Sequence, residues 1–287
     1  WMAGGALVLE RDFEAARALA VIASERITGA WMAPVMLSRC LASPERAAYD
    51  LSSLRWLLGG GERTPEERIR EFSSVFAHAR YIDAYGLTET CSGDTMMEAG
   101  RELEKIGSTG RPLAHVALAV MDDEGNALPA GSQGEVCLCG PKVTQGYWRD
   151  EAKTRAGFFG QWFRTGDVGY LDAEGFLYLT DRKKDMIISG GENIASSEVE
   201  RVVYGLPQVA EVAVIGLPDA QWGECVAAAV VLKPGQSLSL EQLRAHCSGK
   251  LGNFKTPKRL VICDALPRNP SGKVLKRELR LRLAEMK

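Results

Sequence analysis

Three short turns in this chain carry side chains able to handle ribose and phosphate. Tyr85-Gly86-Leu87-Thr88-Glu89 sets an aromatic face, a hydroxyl and a carboxylate close together. Such a ring can stack a base, the hydroxyl can hold phosphate, and the carboxylate can hold Mg²⁺ through oxygen. Thr165-Gly166-Asp167 offers a carboxylate in a glycine-flanked turn, suited to accept hydrogen bonds from both hydroxyls of a ribose. Asp181-Arg182-Lys183-Lys184-Asp185 offers the planar fork of Arg182, which matches phosphate or ribose oxygens. Further on, Lys273 follows Gly272 and can bring one positive charge to a developing phosphate or carbonyl oxygen.

Each feature also has a plainer reading. Thr88 can cap a helix, and Asp167 can hold its own backbone in an Asx-turn. Arg182 can pair at the surface with Asp181 or Asp185, and Lys273 can be a solvated charge ahead of a basic helix. Gly272-Lys273 is not a phosphate-binding P-loop: Pro267 stands where the earlier glycine is needed and Val274 where Ser or Thr is needed. Gly107-Ser108-Thr109-Gly110 lacks a following helix and lysine, and reads as a linker. No Ser/His/Asp or Cys/His arrangement points to a nucleophilic hydrolase.

The elements that must position these turns fall into three stretches. Residues 1–106 alternate apolar strands (Ala6-Leu7-Val8-Leu9, 29–35, 54–58, 81–85) with helical runs at 12–25 and from Thr64-Pro65-Glu66-Glu67. That alternation predicts a partial parallel α/β subdomain with Tyr85 at the carboxyl end of a strand, where α/β sheets bind ligands. Thr64 as cap and Pro65 at the first helical position form the expected helix start. Residues 107–183 show short strands with turns at Asp122-Asp123-Glu124-Gly125-Asn126 and Asp172-Ala173-Glu174-Gly175, predicting a small β-barrel or distorted sheet. Residues 184–287 read as a compact α+β C-terminal domain, with helices at 197–204 and 239–250 and strands at 209–215 and 225–232.

Composition bounds the class. With 46% hydrophobic and 25% charged residues, the chain is that of a folded globular protein rather than a disordered one. No apolar run reaches the roughly 18 residues of a membrane helix, and the opening residues carry no basic lead or cleavage pattern. Seven scattered cysteines suit a reducing cytoplasm. Cys137 and Cys139 share one face of a strand and read as small buried residues. Net charge is −2, yet residues 250–287 hold 11 Lys and Arg against 3 Asp and Glu. Without interleaved aromatic residues this basic end points away from nucleic acid and toward a polyphosphate small molecule.

In their order and spacing, Tyr85–Glu89, Gly134-Glu135 with Gly146-Tyr147, Thr165–Asp167, Asp181–Asp185, Ser189–Ile194 and Pro267–Lys273 resemble the adenylate-forming superfamily. That superfamily holds acyl-CoA synthetases, peptide-synthetase adenylation domains and beetle luciferases. The resemblance covers essentially the whole chain and is greatest to fatty-acyl-CoA and feruloyl-CoA synthetases. It implies an acid–CoA ligase that makes acyl-AMP from a fatty or aryl acid and ATP, then passes the acyl group to CoA. By the same resemblance, Tyr85 would stack on adenine, with Asp83, Ala84, Gly86 and Leu87 around the nucleotide and acyl group. Thr88 would touch phosphate, Glu89 would hold Mg²⁺, Asp167 the ribose and Arg182 the ribose or phosphate. Lys273 would serve adenylation, and Lys184 matches the hinge about which the C-terminal domain rotates.

Gly190 and Gly191 would line the pantetheine channel, with Trp222, Phe254 and Lys255 as candidates for the CoA nucleotide. Trp31 to Leu37 and Gly59 to Gly61 would help set acyl specificity. Gly61, Glu62 and Arg63 would lie against adenine, although many relatives carry Ala-Pro where this chain has Glu62-Arg63. The family's Ser/Thr/Gly-rich phosphate loop occurs nowhere, and Trp1 to Leu9 reads as strand interior, so the chain is expected to be a piece of a synthetase. Two other readings follow: an incompetent fragment, whose exposed strand edges would promote homodimers, or an adenylation domain loading a carrier protein. The Ser189-Gly190-Gly191-Glu192-Asn193-Ile194 loop disfavours the last.

Overall fold

Strand and helix alternate through the first third of the chain as its apolar pattern requires. The computed structural model describes residues 4–269 and 272–285; Trp1, Met2 and Ala3, and Pro270 and Ser271 of the Pro267–Lys273 motif, lie outside the described residues. The chain divides into two compact units, one holding residues up to Gly86 with Thr95–Arg111, the other Leu87–Asp94 with Pro112 onward.

The first unit runs α1 (Ala15–Ser24), β1 (Gly29–Met32), α2 (Pro34–Ala42), β2 (Trp56–Gly59), α3 (Glu66–Val75), β3 (Arg80–Tyr85), β4 (Thr95–Met96) and β5 (Arg111–Pro112). Strands β1, β2 and β3 are parallel, with Met32, Gly59 and Asp83 aligned, so their carboxyl ends finish level. Parallel neighbours need crossovers, and α2 and α3 supply them. Leu19 and Ile22, Leu37 and Leu41, and Ile69 and Phe72 give the three helices their buried stripes against Leu57 and Tyr81.

Three local expectations are corrected. Ala6-Leu7-Val8-Leu9 forms no strand, and Leu7 and Leu9 are 62% and 80% exposed. The extended stretch expected over 29–35 ends at Met32, because Pro34 opens α2 with its fixed φ. Thr64 does not cap α3: it is buried, its hydroxyl lies 2.5 Å from that of Tyr81, and Pro65 occupies the cap position.

The second unit begins with β6 (Ala117–Met121), β7 (Gly134–Cys139), α4 (Glu151–Ala156), β8 (Phe158–Phe159), β9 (Trp162–Leu171) and β10 (Leu177–Arg182). They form one antiparallel sheet in the order β10-β9-β7-β6 with β8 beside β9, half-barrel-like and interrupted by bulges at Leu179/Asp181 and Glu135/Cys137. Asp122 and Asp172 build their turns as expected, each accepting two downstream backbone N–H groups. Cys137 is fully buried, and burial pushes its thiol up to about 12.

The unit continues through β11 (Ile187–Ser189), β12 (Glu192–Ile194), α5 (Ser196–Tyr204), β13 (Val209–Asp219), β14 (Gly223–Leu232), α6 (Leu240–Cys247), β15 (Arg259–Ile262) and α7 (Lys276–Glu285). Its sheet runs β12-β11-β14-β13 with β15 on β14, and it is covered on both faces. Val226, Ala228 and Val230 pack with α5 and α6, while Cys225, Ala227 and Ala229 pack with Leu279 and Leu283 of α7. Two-sided burial explains why β14 reads as an unbroken apolar run rather than an alternating one.

Candidate functional site

In the first unit, level strand ends gather the residues expected near adenine and the acyl group. Gly59 ends β2 beside Asp83 of β3, and a side chain there would collide with the Tyr81 hydroxyl, 1.7 Å from a built Cβ. Gly60 sits between Trp31 and the Ala84 carbonyl, at 3.6 and 3.8 Å from its built Cβ. Gly61 has φ +90° and opens onto free space, followed by Glu62 and by Arg63, whose guanidinium lies 3.6 Å from Glu66. Asp83 is 5% exposed; burial raises its carboxyl to about 7 against the opposing charge of Arg63. Ala84, Tyr85 and Gly86 complete this edge.

Leu87 opens the second unit and leads into a single 3-10 turn, Thr88–Thr90. The cap expected of Thr88 is made instead by Thr90, whose hydroxyl accepts the Leu87 N–H at 3.2 Å; Thr88 itself stays exposed. Thr90 also donates to the buried Asp94 carboxylate. Between them Cys91, Ser92 and Gly93 all adopt positive φ, costing about 1–2 kcal/mol for each non-glycine residue. Lys142 holds this strained loop: its ammonium donates to the Ser92 and Gly93 carbonyls at 2.7 and 2.8 Å and lies 2.8 Å from Asp94. The Thr144 N–H donates to the Glu89 carbonyl at 2.7 Å, and the Tyr147 hydroxyl donates to Glu89 Oε1 at 3.1 Å. Glu89 Oε2 accepts no hydrogen bond from a described residue. A carboxylate oxygen left without a described partner is a hard-oxygen donor of the kind Mg²⁺ takes.

Asp167 and Arg182 meet across the β9–β10 ladder, with Arg182 Nε 3.3 Å from Asp167 Oδ1. The surface pairs expected for Arg182 are not made: Asp181 accepts the Ser196 N–H, and Asp185 faces Arg280 at 3.7 Å. The turn before Asp167 is held by Thr165, whose hydroxyl accepts the Asp167 N–H at 3.0 Å, and by Glu135, which accepts the Gly166 N–H at 3.2 Å. Glu135 also takes Arg164 at 2.8 Å and Lys183 at 3.2 Å. Burial alone would raise this carboxyl, but hydrogen bonds from Arg164 and Lys183 outweigh it and hold it below its ordinary value. By sequence Glu135 is marked only by its place in Gly134-Glu135, ahead of Gly146-Tyr147.

Past the β10 end, Lys184 is exposed while its neighbour Lys183 is engaged. Gly190 has φ +61° and a built Cβ 2.8 Å from the Trp222 ring, so its lack of a side chain is needed there; Gly191 has φ +85° and open space. Lys258 lies 4.7 Å over the Trp222 ring, Phe254 is half-exposed, and Lys255 pairs with Glu198 at 2.7 Å. The Lys273 N–H donates to Asn269 Oδ1 at 2.8 Å, and Gly272 before it has φ +90°. Three residues on, Lys276 is 2.7 Å from Glu200 and 2.6 Å from the Ser196 hydroxyl. Burial would lower its ammonium, but Glu200, Asp181 and Asp185 hold it above its ordinary value. No sequence signal separated Lys276 from the other basic residues around it.

The AMP-binding enzyme family matches residues 1–148, and the AMP-binding enzyme C-terminal domain matches residues 198–273. The long-chain-fatty-acid–CoA ligase of Mycobacterium tuberculosis is 39% identical over 279 residues, covering 97% of this chain and 55% of that protein. The solved amide bond synthetase McbA from Marinactinospora thermotolerans superposes with a TM-score of 0.90 at 36% identity, over 98% of this chain and 57% of its own. The o-succinylbenzoate CoA synthetase from Bacillus subtilis, solved with its acyl-adenylate intermediate, gives 0.82 at 35% identity, over 94% and 54%. The chain thus spans about half the length of the relatives it matches. With both domain families matched in order, the chain belongs to the AMP-binding, adenylate-forming enzyme family, alongside the acid–thiol ligases.

Proposed function

We propose that this chain is part of an ATP-dependent acid–CoA ligase acting on a fatty or aryl acid. In the first half-reaction a carboxylate oxygen attacks the α-phosphorus of ATP, pyrophosphate leaves, and acyl-AMP forms. In the second, the thiol of CoA attacks the acyl carbonyl and AMP leaves with the electron pair of the broken anhydride bond. Bound Mg²⁺ would neutralise phosphate charge, with Glu89 as its protein ligand and Thr88 against the phosphate. Asp167 accepts from the ribose hydroxyls, Arg182 gives donors to the ribose or phosphate, and the edge from Gly61 to Arg63 and from Asp83 to Leu87 frames adenine, with Tyr85 stacked on it. Lys273 supplies positive charge during adenylation, and rotation at Lys184 brings Gly190 and Gly191 alongside pantetheine, with Trp222, Phe254 and Lys255 toward the CoA nucleotide. A three-part division at about residues 106 and 183 goes with this reading, as does a reducing cytoplasm, which suits seven free cysteines.

The observation that carries the reading is the Asp167–Arg182 pair, a carboxylate and a guanidinium fixed face to face by strand register within a chain of this family. The test uses the full-length protein, measuring acid-dependent pyrophosphate release and then capture of the acyl group. Release with fatty or aryl acids and capture by CoA is the expected result. Capture by an amine alone or by a carrier protein alone replaces the CoA step, and no release with any acid overturns the reading.

A further inference from the structure

Glu89 and Tyr147 are 58 residues apart in sequence, yet the phenol reaches the carboxylate at 3.1 Å. Tyr147 is itself held at three points. Its backbone N–H donates to the Thr154 hydroxyl at 2.9 Å, Lys153 of α4 lies 3.7 Å over its ring, and its hydroxyl ends on Glu89 Oε1. The same segment takes the Glu89 carbonyl through Thr144 and the loop after it through Lys142. A glutamate at a half-exposed position otherwise samples several rotamers, and ordering it costs conformational entropy when a ligand binds.

We propose that Tyr147 is a positioning residue for Glu89: it clamps Oε1 so that Oε2 is presented, already oriented, to the cation that accompanies the nucleotide. The inference rests on the reading of Glu89 as the metal-facing carboxylate. The Tyr147 hydroxyl touches neither substrate nor cation; it acts through Glu89, as outer hydrogen-bond partners do at metal sites.

The experiment measures Mn²⁺ affinity by electron paramagnetic resonance in the full-length protein holding a non-hydrolysable ATP analogue, together with the Mg²⁺ dependence of pyrophosphate release. Tyr147→Phe keeps the ring under Lys153 and removes only the hydroxyl. It is expected to weaken Mn²⁺ binding roughly tenfold and to raise the Mg²⁺ concentration for half-maximal rate, with the KM for the acid unchanged. Glu89→Gln is the reference, and the double variant should lose little more than either single one. If Glu89→Gln weakens the metal while Tyr147→Phe does not, or if the losses add, the positioning role fails and the reading of Glu89 stands. If neither changes metal affinity, that reading falls and the inference with it. Should Tyr147→Phe fold poorly, 4-aminophenylalanine at position 147 keeps the ring and a hydrogen-bond donor; metal affinity near that of the wild type is then expected, and a roughly tenfold loss overturns the proposal.

Discussion

Asp167 and Arg182 occupy facing positions in the β9–β10 ladder, with the guanidinium Nε 3.3 Å from a carboxylate that is nearly buried. The Arg182 side chain is 37% exposed, so the pair contributes at most about 1 kcal/mol to stability. Its substitution should therefore show in ligand binding and hardly at all in melting temperature. Arg182→Lys, which loses the fork, is expected to weaken AMP binding about tenfold in the full-length protein by calorimetry. A drop in melting temperature without a change in affinity would make the pair structural.

Asp83 provides a pH signature. Its carboxyl is raised by burial to about 7 from an ordinary 3.8. Below 3.8 both folded and unfolded chains hold the proton. Between 3.8 and about 7 only the unfolded chain releases it, so folding loses stability as pH rises, with the full penalty, about 4 kcal/mol, reached above 7. Asp83→Asn should stabilise the protein in urea unfolding at pH 8 and give no advantage at pH 4.

Two adjacent glycines should respond differently to alanine. Gly190→Ala faces both a positive φ and the Trp222 ring, whereas Gly191→Ala faces a positive φ alone. Losses of about 3 and about 1 kcal/mol are expected, measured by chemical unfolding. Equal losses would mean that the Trp222 ring moves aside.

Lys276 is 16% exposed in its side chain and compensates Glu200, with Asp181 and Asp185 nearby. Lys276→Met strands those carboxylates and should cost about 3 kcal/mol. Because the ammonium is held above 10.5, its contribution is complete below that pH and fades as pH rises through the folded value. The stability difference between wild type and variant should be constant from neutral pH to about 10 and shrink beyond.

On the proposed reading, Lys273 would separate the two half-reactions. Lys273→Ala in the full-length enzyme should reduce acid-dependent pyrophosphate release by at least about a hundredfold, while CoA still consumes supplied acyl-AMP. Equal loss of both steps would remove the lysine from an adenylation-specific role.

Residues with local signals were legible in the sequence. The β3 strand ending at Tyr85 and the aspartate turns at Asp122 and Asp172 follow from side-chain period and turn chemistry over a few neighbours. Where a local signal misled, the presence or lack of a distant partner decided the outcome. Thr64 gave up its cap to meet Tyr81, and the apolar Leu7-Val8-Leu9 run found no strand to join.

By itself, then, the sequence determined the family, the alternating and antiparallel regions, and the turns that hold the candidate ligand groups, since each depends on residues close together in the chain. Only the tertiary structure decided which groups meet. Tyr147 reaches Glu89, Glu135 gathers Arg164, Lys183 and the Gly166 N–H, and Arg182 turns to Asp167 rather than to its sequence neighbours. Those partners are separated by 15 to 58 residues. Strand register and packing bring them together, and an individual side chain carries no local mark of the partner it will find.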